Sequence, residues 1–317
     1  MNNYYYLVAG LPEISLEDTK LSLAYTDYLE ELMSSLAKQD EALLRYFRMT
    51  YENRNLLAWL NNKDAQLHPL GLLTAEDFAE QWQMIDYEDK GALPGIPAYF
   101  LPFMRDFRDG LIAKGSEETH LTALFYEYAQ QSSNAFVRTW FEFQLNLHNV
   151  LTAVSCRKYG MDIEAQLVGD NEVSQALRTS SARDFNLSGV FPAIESILRM
   201  SDEKDLLVKE KKIDRLQWDF LDELCTDYYF SIEVLLAYLV KLQSVERWLK
   251  LDAQKGEEIF RELIRSMRYR RYAFHFHNAW LFRPPDRSVP IRLHPRSHCA
   301  GWTEPGGVPV ACPVGIG

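Results

Sequence analysis

The chain has 317 residues, of which 47% are apolar and 25% are charged, and these proportions are typical of a folded, soluble protein. Its formal net charge of −11 argues against a nucleic-acid partner, because binding phosphates over a broad surface needs an excess of Lys and Arg. Only 15 Gly and 13 Pro are available for turns, which favours an all-α fold over an all-β one. Four cysteines are too few for a disulfide framework, so we expect a reducing compartment.

The sequence contains no apolar run of the length that a membrane helix needs, which is about 18 residues or more. The longest run, Val234 to Val240, stops at Lys241. The N-terminal residues lack the basic region of a signal peptide. We therefore predict a cytoplasmic protein without a membrane span.

The first half of the chain shows helical periodicity with several start signals. Ser15 to Asp18 has the pattern of a capping box and predicts a first helix that continues to Leu36. Asp40 is a candidate cap for a second helix that runs to Leu60. Thr74 to Asp77 is another capping box ahead of a third helix, and Gly91 to Pro97 is predicted to be a loop.

The second half of the helical region is predicted to contain longer helices. The apolar period runs from Glu117 to Tyr159 with one weak point at Ser132–Asn134, and Gly160 is a candidate C-cap. A helix of about 40 residues would measure roughly 60 Å, which predicts an elongated molecule. Asp202 to Leu224 and Tyr229 to Leu251 form a second long pair, and Lys255 to Met267 a closing helix.

The composition changes sharply at Arg268. Residues 268–317 contain seven Arg, no Lys, one Asp and one Glu, a net charge of +5, which leaves −11 − 5 = −16 for residues 1–267. This segment also holds seven of the 13 Pro. We predict a helical body over residues 1–267 and a Pro- and Arg-rich tail over 268–317 that is irregular or non-native.

Four residues of the tail are weak candidates for a metal site. His294, His298, Cys299 and Cys312 offer the nitrogen and sulfur ligands of tetrahedral zinc. Their spacing matches no familiar zinc module, and an unstructured tail explains the same residues. We therefore predict no metal.

The sequence contains none of the motifs that mark nucleotide-binding loops, zinc proteases, serine hydrolases or redox-active cysteine pairs. His148, Cys156 and Cys225 stand alone on predicted helices, where each is more often a core side chain than a catalytic group. Tyr4, Tyr5 and Tyr6 form either a partner-contact patch or a buried first element. We predict no catalytic residues, no enzyme activity and no cofactor.

One pattern recurs along the helical body. Glu52 to Leu57 is echoed by Asn146 to Leu151 and, more loosely, by Val245 to Leu249. Aligning Asn55, Asn149 and Trp248 gives spacings of 94 and 99 residues. These spacings are too long for the common solenoid repeats, but they suit three related helical lobes.

The segment from Phe230 to Leu249 resembles the third-lobe signature of a V-type ATPase family, the C subunit of the archaeal and bacterial enzymes, whose eukaryotic counterpart is the d subunit. The matching positions are Glu233, Tyr238, Leu239, Glu246, Arg247 and Leu249, while Val234 and Trp248 stand where that family has Pro and Asn. Glu52, Asn55 and Leu56, and then Asn149 and Val150, resemble the same motif in lobes one and two. Tyr4 to Pro12 and Gly169 to Val173 are closer still to a poorly characterised bacterial family that accompanies V-type ATPase genes.

The resemblance implies three related helical lobes, at about residues 1–95, 96–180 and 181–267. It implies a non-catalytic central-stalk subunit of an ion-translocating ATPase, which couples the rotor shaft, made of the D and F subunits, to the membrane proteolipid ring. Such a subunit is cytoplasmic and peripheral to the inner face of the cell membrane. The residues themselves leave two alternatives: a soluble helical scaffold or adaptor, and a helical enzyme with an unrecognised site.

Overall fold

Helices account for all the regular secondary structure in the part of the chain that the computed structural model describes, residues 3–86 and 91–251. The predicted all-α class is therefore confirmed. The helices are α1 (Tyr5–Ala9), α2 (Tyr25–Ser35), α3 (Lys38–Tyr46), α4 (Met49–Asn61), α5 (Ala75–Gln83), α6 (Phe100–Arg108), α7 (Glu117–Gln130), α8 (Ala135–Tyr159), α9 (Glu172–Thr179), α10 (Ile194–Ser201), α11 (Leu206–Leu224) and α12 (Ile232–Lys250), with a short 3-10 helix at Glu164–Gln166.

The first capping-box prediction was wrong. The Ser15 N–H donates to the Asp18 carboxylate at 2.8 Å, but this contact closes a turn, and α2 begins only at Tyr25. Leu16 is buried in a small cluster with Trp218 and Val245. Tertiary burial of Leu16 therefore takes the place of the helical turn that the local pattern predicted.

Two of the predicted long helices are each divided in two. The second predicted helix breaks into α3 and α4, where the Arg48 guanidinium donates twice to the Leu70 carbonyl, at 2.6 and 3.0 Å. The predicted 40-residue helix is wrong, because Asn134 caps α8 by accepting from the Val137 N–H at 3.0 Å. The longest helix, α8, has 25 residues. The helix of roughly 60 Å, from which we predicted an elongated molecule, is therefore not formed.

Other start and stop signals behave as the sequence predicts. Thr74 and Asp77 form a reciprocal capping box at the start of α5. Gly160 ends α8 in the left-handed conformation, with φ of 65°. The predicted closing helix, Lys255 to Met267, and the tail lie outside the described residues.

One main core joins most of the helices. It contains fully buried side chains from α2 through to α12, including Leu32, Leu56, Phe136, Val150 and Leu235. Helix α8 packs against α7, α9 and α10, while α12 packs against α1, α2 and α11. None of the helices formed by the described residues has the length and apolar character needed to cross a lipid bilayer.

Candidate functional site

The first motif copy anchors the loop between α4 and α5. Asn55 is buried on α4; its Oδ1 accepts from the His68 N–H at 2.6 Å and its Nδ2 donates to the His68 carbonyl at 3.2 Å. One side-chain amide thus satisfies both backbone groups of a single residue. One turn earlier, the buried Glu52 carboxylate accepts from the N–H groups of Leu72 and Leu73. Burial raises the pKa of Glu52, and these two hydrogen bonds oppose that rise.

The second motif copy makes the same type of contact. Asn149 is fully buried on α8; its Oδ1 accepts from the Val168 N–H at 2.9 Å and its Nδ2 donates to the Val168 carbonyl at 2.7 Å. One turn earlier, the Asn146 Oδ1 accepts from the Asn171 Nδ2 at 2.7 Å. Asn171 caps α9 in a capping box with Ser174. In both copies, the motif residues therefore hold the loop that leads into the next capped helix.

The helices around these two copies follow the same order. Adding 94 to the bounds of α5 gives 169–177, which overlaps α9, and adding 94 to those of α6 gives 194–202, which overlaps α10. The same offset places α2 on α7, and α3 with α4 on α8. The predicted spacing thus relates whole helices as well as two asparagines. The predicted lobe boundaries stay a prediction.

The third motif copy makes different contacts. Trp248 Nε1 donates to Asp214 Oδ2 at 2.5 Å, and the Arg247 guanidinium pairs with the same carboxylate. Glu246 Oε2 accepts from the Tyr25 N–H at 2.7 Å and its other oxygen pairs with Lys250. The motif therefore ties α12 to α11 and to the first turn of α2. Any loop contact equivalent to those of Asn55 and Asn149 would lie beyond Leu251, outside the described residues.

The remaining motif positions also lie inside the fold. Glu233 is buried, and its Oε1 accepts from the Asn134 Nδ2 at 2.8 Å. These two residues are 99 positions apart, which is the spacing between the second and third motif copies. Tyr238 packs edge-on against Tyr28 with ring centroids 5.1 Å apart. Leu56 and Val150 are fully buried and form part of the main core.

An exposed aromatic surface lies beside the start of α12, and we define it as Tyr5, Tyr6, Tyr229 and Phe230. The exposed fractions of Tyr6 and Tyr229 are 95% and 73%. The Tyr5 and Phe230 rings lie 4.6 Å apart, and the Tyr4 N–H donates to the Phe230 carbonyl at 2.6 Å. Helix α1 buries none of its residues, which excludes a buried first element as the role of Tyr5 and Tyr6. These rings are therefore accessible to solvent and to a binding partner.

The lone candidates for catalysis have inert surroundings. Burial lowers the pKa of His148 to about 4, so its ring is neutral at pH 7. Burial raises the pKa of both Cys156 and Cys225 to about 11, which keeps them as thiols rather than nucleophilic thiolates. Within residues 3–86 and 91–251, no three His, Cys, Asp or Glu side chains are grouped so that they could hold a metal ion. His294, His298, Cys299 and Cys312 lie outside the described residues.

Comparison with known proteins places the chain in a family. Residues 1–270 match a family model described as "Protein of unknown function (DUF2764)". The chain belongs to this family. A relative of the chain is an uncharacterised protein of Chlamydia pneumoniae, 23% identical over 275 residues, which cover 85% of this chain and the whole of the relative. No solved structure matches the chain. The DUF2764 match includes every motif position and the aromatic surface.

Proposed function

We propose that this chain is a non-catalytic subunit of the central stalk of a V-type ATPase, which couples the rotor shaft, made of the D and F subunits, to the proteolipid ring. The observation that carries the proposal is the repeated anchor of Asn55 and Asn149, set in helices that recur with a spacing of 94 residues. It supports the repeated-lobe architecture that the resemblance to the V-type ATPase family implies. Of the lobe-three positions that carry the resemblance, Glu233, Tyr238 and Leu239 are buried, whereas Glu246, Arg247 and Leu249 are half-buried.

A coupling body must resist twisting, and the contacts between the predicted lobes suit that role. Glu246 links α12 to α2, and Glu233 links α12 to the cap of α8. The first two lobes meet through stacked aromatic rings, with Tyr46 and Tyr128 at 5.1 Å between centroids. Because close-packed interiors deform little, torque applied to one lobe is passed to the others.

The aromatic surface is the region that we expect to contact a partner in the ATPase. Tyr and Phe are enriched at protein interfaces, where their rings bury a large area and the Tyr hydroxyl retains a hydrogen bond. Losing these rings should cost little folding stability, because Tyr6 and Tyr229 are already largely exposed. Binding and folding can therefore be separated by mutation.

Pull-down with reconstituted ATPase components tests the proposal. The full chain should bind the D and F shaft or the proteolipid ring, more weakly at high salt where charged contacts contribute. The Tyr6→Ser/Tyr229→Ser double variant should lose at least about tenfold in affinity. Tyr159→Ser is a matched control, because Tyr159 is 62% exposed on α8 and lies outside the aromatic surface.

The effect of deletion gives an independent test. Loss of this protein should uncouple ATP hydrolysis from ion pumping while the detached catalytic head continues to hydrolyse ATP. The isolated chain should hydrolyse no nucleotide. If the folded chain binds neither shaft nor ring at low salt, the proposal fails, and a helical adaptor or an enzyme becomes the better interpretation.

A further inference from the structure

A groove between α10 and α11 brings together three basic side chains on this acidic chain, each beside a carboxylate. This open groove has a volume of about 380 Å³, and its lining includes three cations, Arg199, Lys212 and Arg215, and one acid, Asp219. Met200 and Leu216 supply an apolar part of the lining. The whole chain has a net charge of −11, so three cations that line one groove run against the overall charge.

Helical spacing explains why these side chains meet. Arg199 and Met200 lie three and four residues after Ser196, which lines the groove from the first turn of α10. Lys212, Arg215 and Asp219 follow one another at intervals of three and four residues on α11, so they share one face of that helix. Since α10 packs against α11, the two faces border the same groove.

Two of these three cations, Arg199 and Arg215, hold their present partners loosely. Arg199 lies 3.9 Å from Glu195, with side chains 70% and 67% exposed. Arg215 lies 3.7 Å from Glu17, which it shares with Lys211. Lys212 pairs more closely with Glu203, at 2.7 Å. Exposed ion pairs of this kind contribute little to stability, so an incoming anion can replace the carboxylates of Glu195 and Glu17 at small cost.

We propose that this groove binds a small molecule that carries a phosphate group. Arg199 and Arg215 can each hold phosphate oxygens with two parallel N–H donors, and Lys212 adds a third charge. The apolar part of the ligand would lie against Met200 and Leu216, and a volume of about 380 Å³ suits a small molecule. Asp219 disfavours an anion that reaches its end of the groove. This inference does not depend on the proposed role in the ATPase.

Isothermal titration of the full chain with inorganic pyrophosphate, and separately with ADP, tests the inference. We expect saturable binding at low ionic strength that weakens as salt is added. Arg199→Ala/Lys212→Ala/Arg215→Ala should lower the affinity at least about tenfold. The control is Lys20→Ala/Lys38→Ala/Lys114→Ala, which removes the same net charge from exposed positions outside the groove and should change the affinity less than about twofold.

A substitution that should raise the affinity distinguishes a binding role of the groove residues from a purely structural one. Asp219→Asn removes the repelling charge and should raise the affinity severalfold, while circular dichroism confirms that each variant is folded. The inference is overturned if neither pyrophosphate nor ADP binds, or if the control triple variant weakens binding as much as the groove variant. It is also overturned if only phosphatidylglycerol vesicles bind through these three residues, because that result would indicate a membrane-facing surface instead.

Discussion

At the scale of single residues, buried side-chain amides replace missing backbone partners. Asn149 satisfies both the N–H and the carbonyl of Val168 in a fully buried position. A buried polar group without a partner costs about 1–3 kcal/mol. The loop before α9 therefore depends strongly on one side chain.

Replacing Asn149 should expose this dependence. Asn149→Ala leaves two buried backbone groups unpaired and should lower the free energy of unfolding by about 2–4 kcal/mol, measured by urea denaturation. Asn61→Ala is the control, because Asn61 is exposed and its amide donates only to the Leu57 carbonyl four residues earlier; it should cost less than about 0.5 kcal/mol. Equal losses of unfolding free energy in the two variants would show that the two hydrogen bonds between Asn149 and Val168 contribute little to stability.

Position 71 needs a glycine because a side chain would not fit beside the Asn55 amide, and not because of its backbone conformation. A Cβ at this position would lie 2.3 Å from the Asn55 Nδ2, which cannot retreat without releasing the His68 carbonyl. Gly71→Ala should therefore destabilise the protein by about 1–3 kcal/mol. Gly189→Ala meets nothing within 4 Å and should be neutral or slightly stabilising. Melting temperatures of the two variants check this, and a neutral Gly71→Ala would contradict it.

His148 should make stability depend on pH. Burial lowers its folded-state pKa from 6.5 to about 4, so between these values the unfolded chain binds a proton that the folded chain does not. The free energy of unfolding should therefore fall as pH drops from 6.5 towards 4, by roughly 3 kcal/mol from this residue. Urea denaturation of the wild type and of His148→Gln at pH 7 and pH 5 measures the difference. Equal pH dependence of the unfolding free energy in both proteins would show that His148 is not the group responsible.

At the scale of helices, α11 and α12 are joined by one buried carboxylate. Asp214 is 5% exposed and accepts from Arg247 and from the Trp248 indole. The ion pair thus joins Arg247 of α12 to the preceding helix. The contribution of this ion pair to stability depends on burial, because a buried charge that loses its partner remains desolvated.

Asp214→Leu should cost about 3–5 kcal/mol of unfolding free energy, since it removes the buried carboxylate that accepts from both Arg247 and Trp248. The Asp214→Leu/Arg247→Met double variant should recover part of this loss. Asp222→Ala is the control: this residue is 67% exposed and pairs with Lys241, so about 0–1 kcal/mol is expected. Chemical denaturation followed by tryptophan fluorescence measures the unfolding free energy of all three variants. A double variant no more stable than Asp214→Leu would contradict the charge argument.

At the scale of the whole molecule, the predicted lobes share their interior. The main core includes Tyr28 of α2, Val150 of α8 and Leu235 of α12 in a single cluster. Tyr28 donates to the Leu235 carbonyl at 3.2 Å, which joins residues 207 positions apart. The predicted first and third lobes therefore share one core.

This shared core predicts cooperative unfolding. Native-state hydrogen exchange should give similar opening free energies for the central residues of α4, α8 and α12, because none of these helices can open without exposing the common cluster. Mass spectrometry of peptides from the three helices measures this. A much lower opening free energy for α4 alone would indicate that the first lobe unfolds separately.

Much of the local structure could be predicted from the sequence because it depends on near neighbours. The capping box at Thr74 and the glycine stop at Gly160 involve contacts within a few residues, and both predictions were correct. The same local rule failed at Ser15, where burial of Leu16 beside Trp218 decides the path of the chain. It also failed at Asn134, which reads as a weak point inside a helix but caps a new one.

The sequence by itself determined the helical class, because hydrophobic periodicity and the scarcity of turn residues are properties of the chain alone. It also contained the 94-residue repeat, since the two asparagines and their surrounding helices recur in order. Only the tertiary structure decided what those asparagines bind and which aromatic side chains stay exposed. The hydrogen bonds from Asn149 to Val168 and from Asn134 to Glu233 depend on how distant segments pack. Local sequence patterns do not predict that packing.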